Sequence, residues 1–115
     1  DLDPCCIAMT AKAPMFYTAE DNGLQRPWFG RVFMNPPYSV PALWCEKALG
    51  ETSAGNAALV IGLLPVATDT GWFHDFIKDK AEIRFVRGRV RFFGWAGTPI
   101  TSPKSPSMIV IWRKK

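Results

Sequence analysis

Ala57-Ala-Leu-Val-Ile-Gly-Leu-Leu64 is an uninterrupted apolar run closed by Pro65. Such a run is expected of a strand buried on both faces, the position of an inner strand in a parallel sheet. Its neighbours fit that placement. Before it, Ala42 to Leu49 follows Pro41, suited to a first helical turn, sets Leu43, Trp44, Ala48 and Leu49 near one face, and meets a stop at Gly50. After it, Asp69 is positioned to cap a helix through about Lys80 with Trp72, Phe73, Phe76 and Ile77 inward. Farther out, Arg31 to Met34 is β-prone and stops at Pro36-Pro37, and Leu2 opens a short strand that ends at Pro4. Ile83 to Val86 reads as a strand, Gly88 breaks it, and Val90, Phe92 and Phe93 resume the pattern. Gly94 to Pro106 reads as a mobile loop, and Ser107 to Trp112 as the last strand. Strands alternating with helices predict a three-layer α/β/α fold with a mostly parallel sheet. The last strand follows a loop with no helix in it, so it is expected to run antiparallel.

With 115 residues the chain has room for one domain, residues 1–115. Apolar residues make up 48% and charged residues 21%, a composition that excludes disorder as the main state. The longest uncharged apolar stretch, Ala57 to Ala67, is too short to cross a bilayer, and no basic-then-apolar signal opens the chain. The expectation is a cytoplasmic protein without a membrane partner. Because residue 1 already falls inside a strand and is not Met, a further segment of a parent chain is expected upstream.

Three cysteines, two of them the adjacent Cys5 and Cys6, do not make a disulfide framework. One histidine, His74, and no Cys-x-x-Cys spacing leave a structural zinc site without its ligands, so no metal is expected. The net charge is +4, with Arg84, Arg87, Arg89 and Arg91 within eight positions and Arg113, Lys114 and Lys115 at the end. That distribution points to a polyanionic partner.

The chemistry is concentrated in Asn35-Pro36-Pro37-Tyr38, directly after a predicted strand. Ligands of open α/β sheets bind at strand carboxyl ends. Asn35 offers a side-chain carbonyl and the next residue a main-chain carbonyl, while two prolines stiffen the turn and remove competing N–H groups. Two acceptors aimed at one –NH₂ group draw it out of planar conjugation and free its lone pair for attack. Tyr38 can stack on the ring that bears the amine.

The motif resembles the Asn/Asp-Pro-Pro-Tyr/Phe signature of S-adenosylmethionine-dependent amino-methyltransferases. More closely, the chain is similar to the phage-type DNA N6-adenine methyltransferases. The resemblance runs through Asp1-Leu-Asp-Pro-Cys5, Tyr17-Thr-Ala-Glu-Asp-Asn-Gly-Leu24 with Trp28, Val32-Phe-Met-Asn-Pro-Pro-Tyr38, and Leu64-Pro65 with Thr68-Asp-Thr-Gly-Trp-Phe-His74. It continues through Glu82-Ile-Arg-Phe-Val-Arg-Gly-Arg-Val-Arg-Phe92 and Pro106-Ser-Met-Ile-Val110. The resemblance implies a Rossmann-like methyltransferase fold, S-adenosylmethionine as cofactor, DNA as partner, and methyl transfer to the N6 amine of adenine.

By position the resemblance makes Asn35, Pro36, Pro37 and Tyr38 catalytic and assigns Asp3, Pro4, Cys5 and Asp21 to the cofactor. The flipped base of duplex DNA needs stacking partners and phosphate contacts. Tyr38 and Phe92 are expected to stack, with Phe93 a second candidate. Arg87, Arg89, Arg91 and His74 are expected at the DNA. Pro4-Cys5 also invites comparison with the Pro-Cys nucleophile of cytosine-C5 methylation, but no Glu-Asn-Val-type segment supplies the acid that reaction needs. Cys45 reads as a core residue. Two alternatives remain from the sequence: methylation of a protein glutamine amide, and a non-catalytic nucleic-acid-binding module.

Overall fold

The computed structural model describes residues 1–6, 10–36, 40–88 and 106–114. Within them the chain forms β1 (Leu2–Asp3), β2 (Met15–Phe16), a 3₁₀ turn (Gly23–Gln25), β3 (Gly30–Met34), α1 (Pro41–Ser53), β4 (Ala57–Pro65), α2 (Gly71–Phe76), β5 (Glu82–Phe85) and β6 (Ser107–Arg113). The described strands make one sheet in the order β2-β1-β3-β4-β6-β5. Neighbours from β2 to β4 pair parallel, and β6 is antiparallel to both β4 and β5. The last strand therefore runs antiparallel, as expected from the sequence, and all the other described strands point the same way.

The register sorts the strand side chains onto two faces. Val32 pairs with Val60 and Val60 with Trp112; Met34 pairs with Gly62 and Gly62 with Val110. This face is buried and carries α1, which packs on β4, β6 and α2. Trp112 donates its indole N–H to the Phe76 carbonyl at 2.8 Å, fastening α2 to β6. Gly62 keeps this layer thin, because a Cβ there would stand 3.0 Å from Met34 Cε and 3.2 Å from the Trp112 ring. On the opposite face Phe33, Leu59, Ile61, Leu63 and Ile109 are only half-buried. Ile111, paired with Ile61 on that face, is buried at 8% exposure, and among the described residues both helices lie on the face of Val60 and Gly62.

The helices depart from the sequence reading in three places. Gly50 does not stop α1; it is exposed, its Cβ position is open, and the helix carries on to bury Glu51 and Thr52. One interior glycine costs about 1 kcal/mol, and Thr52 returns a bond from its hydroxyl to the Ala48 carbonyl. The stop is Gly55 at φ 83°, whose N–H bonds the Thr52 carbonyl while Asn56 N–H bonds that of Glu51. Leu43, expected inward, is 56% exposed, and Cys45 takes the core position beside Trp44 and Ala48. In α2 the cap is Thr70, not Asp69: Thr70 Oγ1 accepts from Phe73 N–H at 3.4 Å. The helix ends at Phe76, short of Lys80, and the chain turns through Asp79 at φ 63°. No described helix is long and apolar enough to cross a membrane.

Candidate active site at the switch between β1 and β3

The strand order reverses at β1, with β2 on one side and β3 on the other. Loops leaving two adjacent strands in opposite directions open a crevice at their carboxyl ends, the ligand position of open α/β sheets. Leu2 is level with Val32, so three residues farther along each parallel strand Cys5 comes level with Asn35. Residues 3–5 and 35–36 therefore share one crevice although they are some thirty positions apart in sequence.

Asp3 ends β1 at 2% exposure. Its Oδ2 accepts from Lys12 N–H at 2.9 Å and its Oδ1 from Cys5 N–H at 3.4 Å. The carboxylate is thus spent on its own loop, holding Pro4 and Cys5 at the crevice. Cys5 is half-buried, and its thiol is pushed up to about 12, mainly by burial, against an opposing hydrogen bond from the Asn35 backbone N–H. Cys6 is raised to about 11, chiefly by burial and then by the charge of Asp3. Both thiols are neutral at physiological pH, so neither is a thiolate nucleophile.

The loop after β2 closes over the end of β1. Tyr17 N–H donates to the Asp3 carbonyl at 2.9 Å and Cys6 N–H to the Tyr17 carbonyl at 3.2 Å, carrying the β1–β2 pairing beyond the strands. Asp21 Oδ2 accepts from the Thr18 N–H at 2.9 Å and the Thr18 hydroxyl at 3.1 Å, and these bonds hold its carboxyl below the ordinary value. Asn22 takes a left-handed φ of 57°, and the following Gly23 is driven onto the Pro4 carbonyl. Trp28, 1% exposed, donates its indole N–H to the Gly23 carbonyl at 2.8 Å and stacks on Trp44 with ring centroids 6.2 Å apart. Tyr17 donates its hydroxyl to the Pro27 carbonyl at 2.8 Å. Core aromatics thus fix both ends of the turn.

Of the residues singled out from sequence, Asp3, Pro4, Cys5, Asp21, Asn35 and Pro36 lie on the loops that leave β1, β2 and β3 at this end of the sheet. Asn35 is half-buried and Pro36 buried. His74 lies elsewhere, on α2 beyond β4, with Nε2 2.8 Å from the Thr68 carbonyl, where it ties down the approach to its own helix. Arg87 is exposed just past β5. Pro37, Tyr38, Arg89, Arg91, Phe92 and Phe93 lie outside the described residues, as does most of the 94–106 segment. Gly23 escaped the sequence reading as a site residue. The Asn22-Gly23 pair announces a turn, but only the fold reveals that the turn lands on Pro4. No three His, Cys, Asp or Glu side chains gather in a metal-binding group among the described residues.

Residues 1–115 match the family model described as DNA N-6-adenine-methyltransferase (Dam). A DNA N-6-adenine-methyltransferase of Haemophilus phage HP1 (strain HP1c1) is 32% identical over 118 residues, which take in 100% of this chain and 68% of that protein. Another, from Escherichia phage T1, is 29% identical over 133 residues, covering 99% of this chain and 55% of its own length.

Proposed function

The chain belongs to the DNA N-6-adenine-methyltransferase family, and from that premise we infer that it transfers a methyl group from S-adenosylmethionine to the N6 amine of adenine in DNA. The observation that supports a working site is the position of Asn35: at the carboxyl end of β3, level with the β1 loop, at the point where the strand order reverses.

The crevice suits this cofactor by its charge. Asp3 at the end of β1 and Asp21 on the loop after β2 bring negative charge to this end of the sheet even though their oxygens accept from neighbouring backbone N–H groups, and a ligand with a sulfonium and an ammonium is favoured near them. In this reading Asp3, Pro4, Cys5 and Asp21 form the cofactor side of the crevice, with Asp3 acting through the loop it holds. When bound, S-adenosylmethionine supplies the methyl group. The Asn35 side-chain carbonyl and the Pro36 main-chain carbonyl take the two hydrogens of the adenine amine, and the nitrogen lone pair is aimed into the crevice. Tyr38 is the residue of the motif that stacks on the base. An arylamine gives up its surplus proton to solvent after the transfer, so the site needs positioning more than it needs a strong base. Arg87, Arg89 and Arg91 hold phosphates and Phe92 adds a stacking face for the extruded base.

The mostly parallel sheet with its antiparallel β6 supports the Rossmann-like methyltransferase reading; the third, covering layer belongs to the proposal. Incubation with duplex DNA and radiolabelled S-adenosylmethionine, followed by nucleoside analysis, tests the function. Label in N6-methyladenine is expected. Label in cytosine or in protein glutamine, or none at all, contradicts it.

A further inference from the structure

Strand direction sorts the exposed apolar side chains of the described residues. Met15 and Phe29, 47% and 41% exposed, sit where β2 and β3 begin, and Leu43 lies on the outer side of α1. Val40 and Phe85, 46% and 67% exposed, lie instead at the end of the sheet that carries Asn35. Phe85 is the most exposed of the five. It closes β5, an edge strand, opposite Met108. The Val86 N–H bonds the Ser107 carbonyl at 3.1 Å, so the backbone is held on both sides of the ring.

Cations flank it in sequence. Arg84 is 67% exposed in its side chain and tied to Glu82, which Arg113 also holds at 2.8 Å. Arg87, exposed, follows two residues later. Consecutive strand residues face opposite sides, so Arg84 lies across the sheet from the ring, while Arg87, two residues on, falls on the side of Phe85. A bare aromatic ring on a rigid strand with an arginine beside it suits a partner that is anionic outside and apolar within, which describes a nucleic acid duplex. Three strand spacings separate β5 from β3, about 14 Å. β3 and β5 run the same way, so Asn35 and Phe85 lie at one end of the sheet, within the span of a single duplex laid across it.

We propose that Phe85 is a wedge that enters the base stack where the target adenine has left it for Asn35, with Arg87 on a flanking phosphate. The proposal rests on the adenine methyl-transfer reading of Asn35. Extruding a base breaks stacking, and an apolar side chain inserted at the step replaces part of what is lost.

The test compares the wild-type chain with Phe85→Ala and Phe85→Trp on two duplexes built around an adenine that the wild type labels. In one the adenine is paired; in the other it stands opposite an abasic site, where extrusion meets little resistance. Phe85→Ala is expected to lower kcat/KM on the paired duplex about tenfold, with circular dichroism and S-adenosylmethionine affinity unchanged. The loss should nearly vanish on the abasic duplex, and Phe85→Trp should keep activity on both. Equal activity of Phe85→Ala and wild type on the paired duplex overturns the wedge, as does an equal loss on both duplexes. A wild type that labels no adenine overturns the methyl-transfer reading itself, a separate and visible result.

Discussion

Gly23 lies against the main-chain carbonyl of Pro4 so closely that a Cβ at position 23 would stand 2.0 Å from that oxygen. This contact joins the loop after β2 to the end of β1 and leaves no room for any side chain. Since Trp28 holds the Gly23 carbonyl from the core side at 2.8 Å, the turn has no direction in which to retreat.

Gly23→Ala is therefore expected to destabilise the fold by about 1–3 kcal/mol, the usual range for overpacking a tight contact. It should also weaken S-adenosylmethionine binding. Thermal denaturation and calorimetric titration check the two effects, and an unchanged Tm would show that the contact yields freely.

Asp3→Asn keeps the shape but loses the charge that two backbone N–H groups bind and turns an amide toward them. With charged hydrogen bonds worth about 1.5–3 kcal/mol, a loss of about 2 kcal/mol is expected in denaturant unfolding. Unaltered stability with lost cofactor binding would instead make Asp3 a direct ligand contact.

Cys5→Ser should retain adenine methylation. Burial holds the Cys5 thiol neutral, at about 12, and a hydroxyl can still accept from the Asn35 N–H. Abolished transfer in a folded Cys5→Ser variant, with a trapped covalent DNA adduct in the wild type, would restore the cysteine-nucleophile reading.

The acid limb of stability should carry the signature of Asp21. Bonds from Thr18 hold its folded pKa below the ordinary 3.8. The contribution is therefore fully present above that ordinary value and is lost as the pH falls through the lower folded one. Below about pH 4 the wild-type Tm should fall more steeply than that of Asp21→Asn, while both stay flat between about pH 5 and 7. Parallel curves would mean that the Thr18 bonds add nothing.

What could be read from sequence followed the range of the forces involved. The strands at 31–34, 57–64 and 107–112 and the antiparallel close were legible because apolar runs and proline stops are local signals. The two-residue strands at 2–3 and 15–16 differ: Leu2 was marked by Pro4, whereas Met15–Phe16 carries no periodicity to detect and exists through its pairing with β1. The helix ends were misjudged at Gly50 and Asp69 because tertiary burial of Glu51 and Thr52 outweighed one glycine, and because Thr70, one residue on, is the side chain that meets Phe73 N–H. Asn35 and Asp3 were legible as chemistry, but their juxtaposition depends on parallel register. Likewise, the bond from the exposed His74 to the Thr68 carbonyl could not be read from sequence, because it depends on how the chain turns into α2.

The central claim is that Asn35 holds the adenine amine, and single-turnover methyl transfer by Asn35→Ala tests it most directly. With cofactor and DNA bound at saturation, the rate is expected to fall about 10²-fold or more, the scale of losing one preorganised polar group. Binding of both ligands and the fold should be unchanged. An Asn35→Ala variant that transfers methyl at the wild-type rate would contradict the claim and reduce Asn35-Pro36 to a turn at the end of β3.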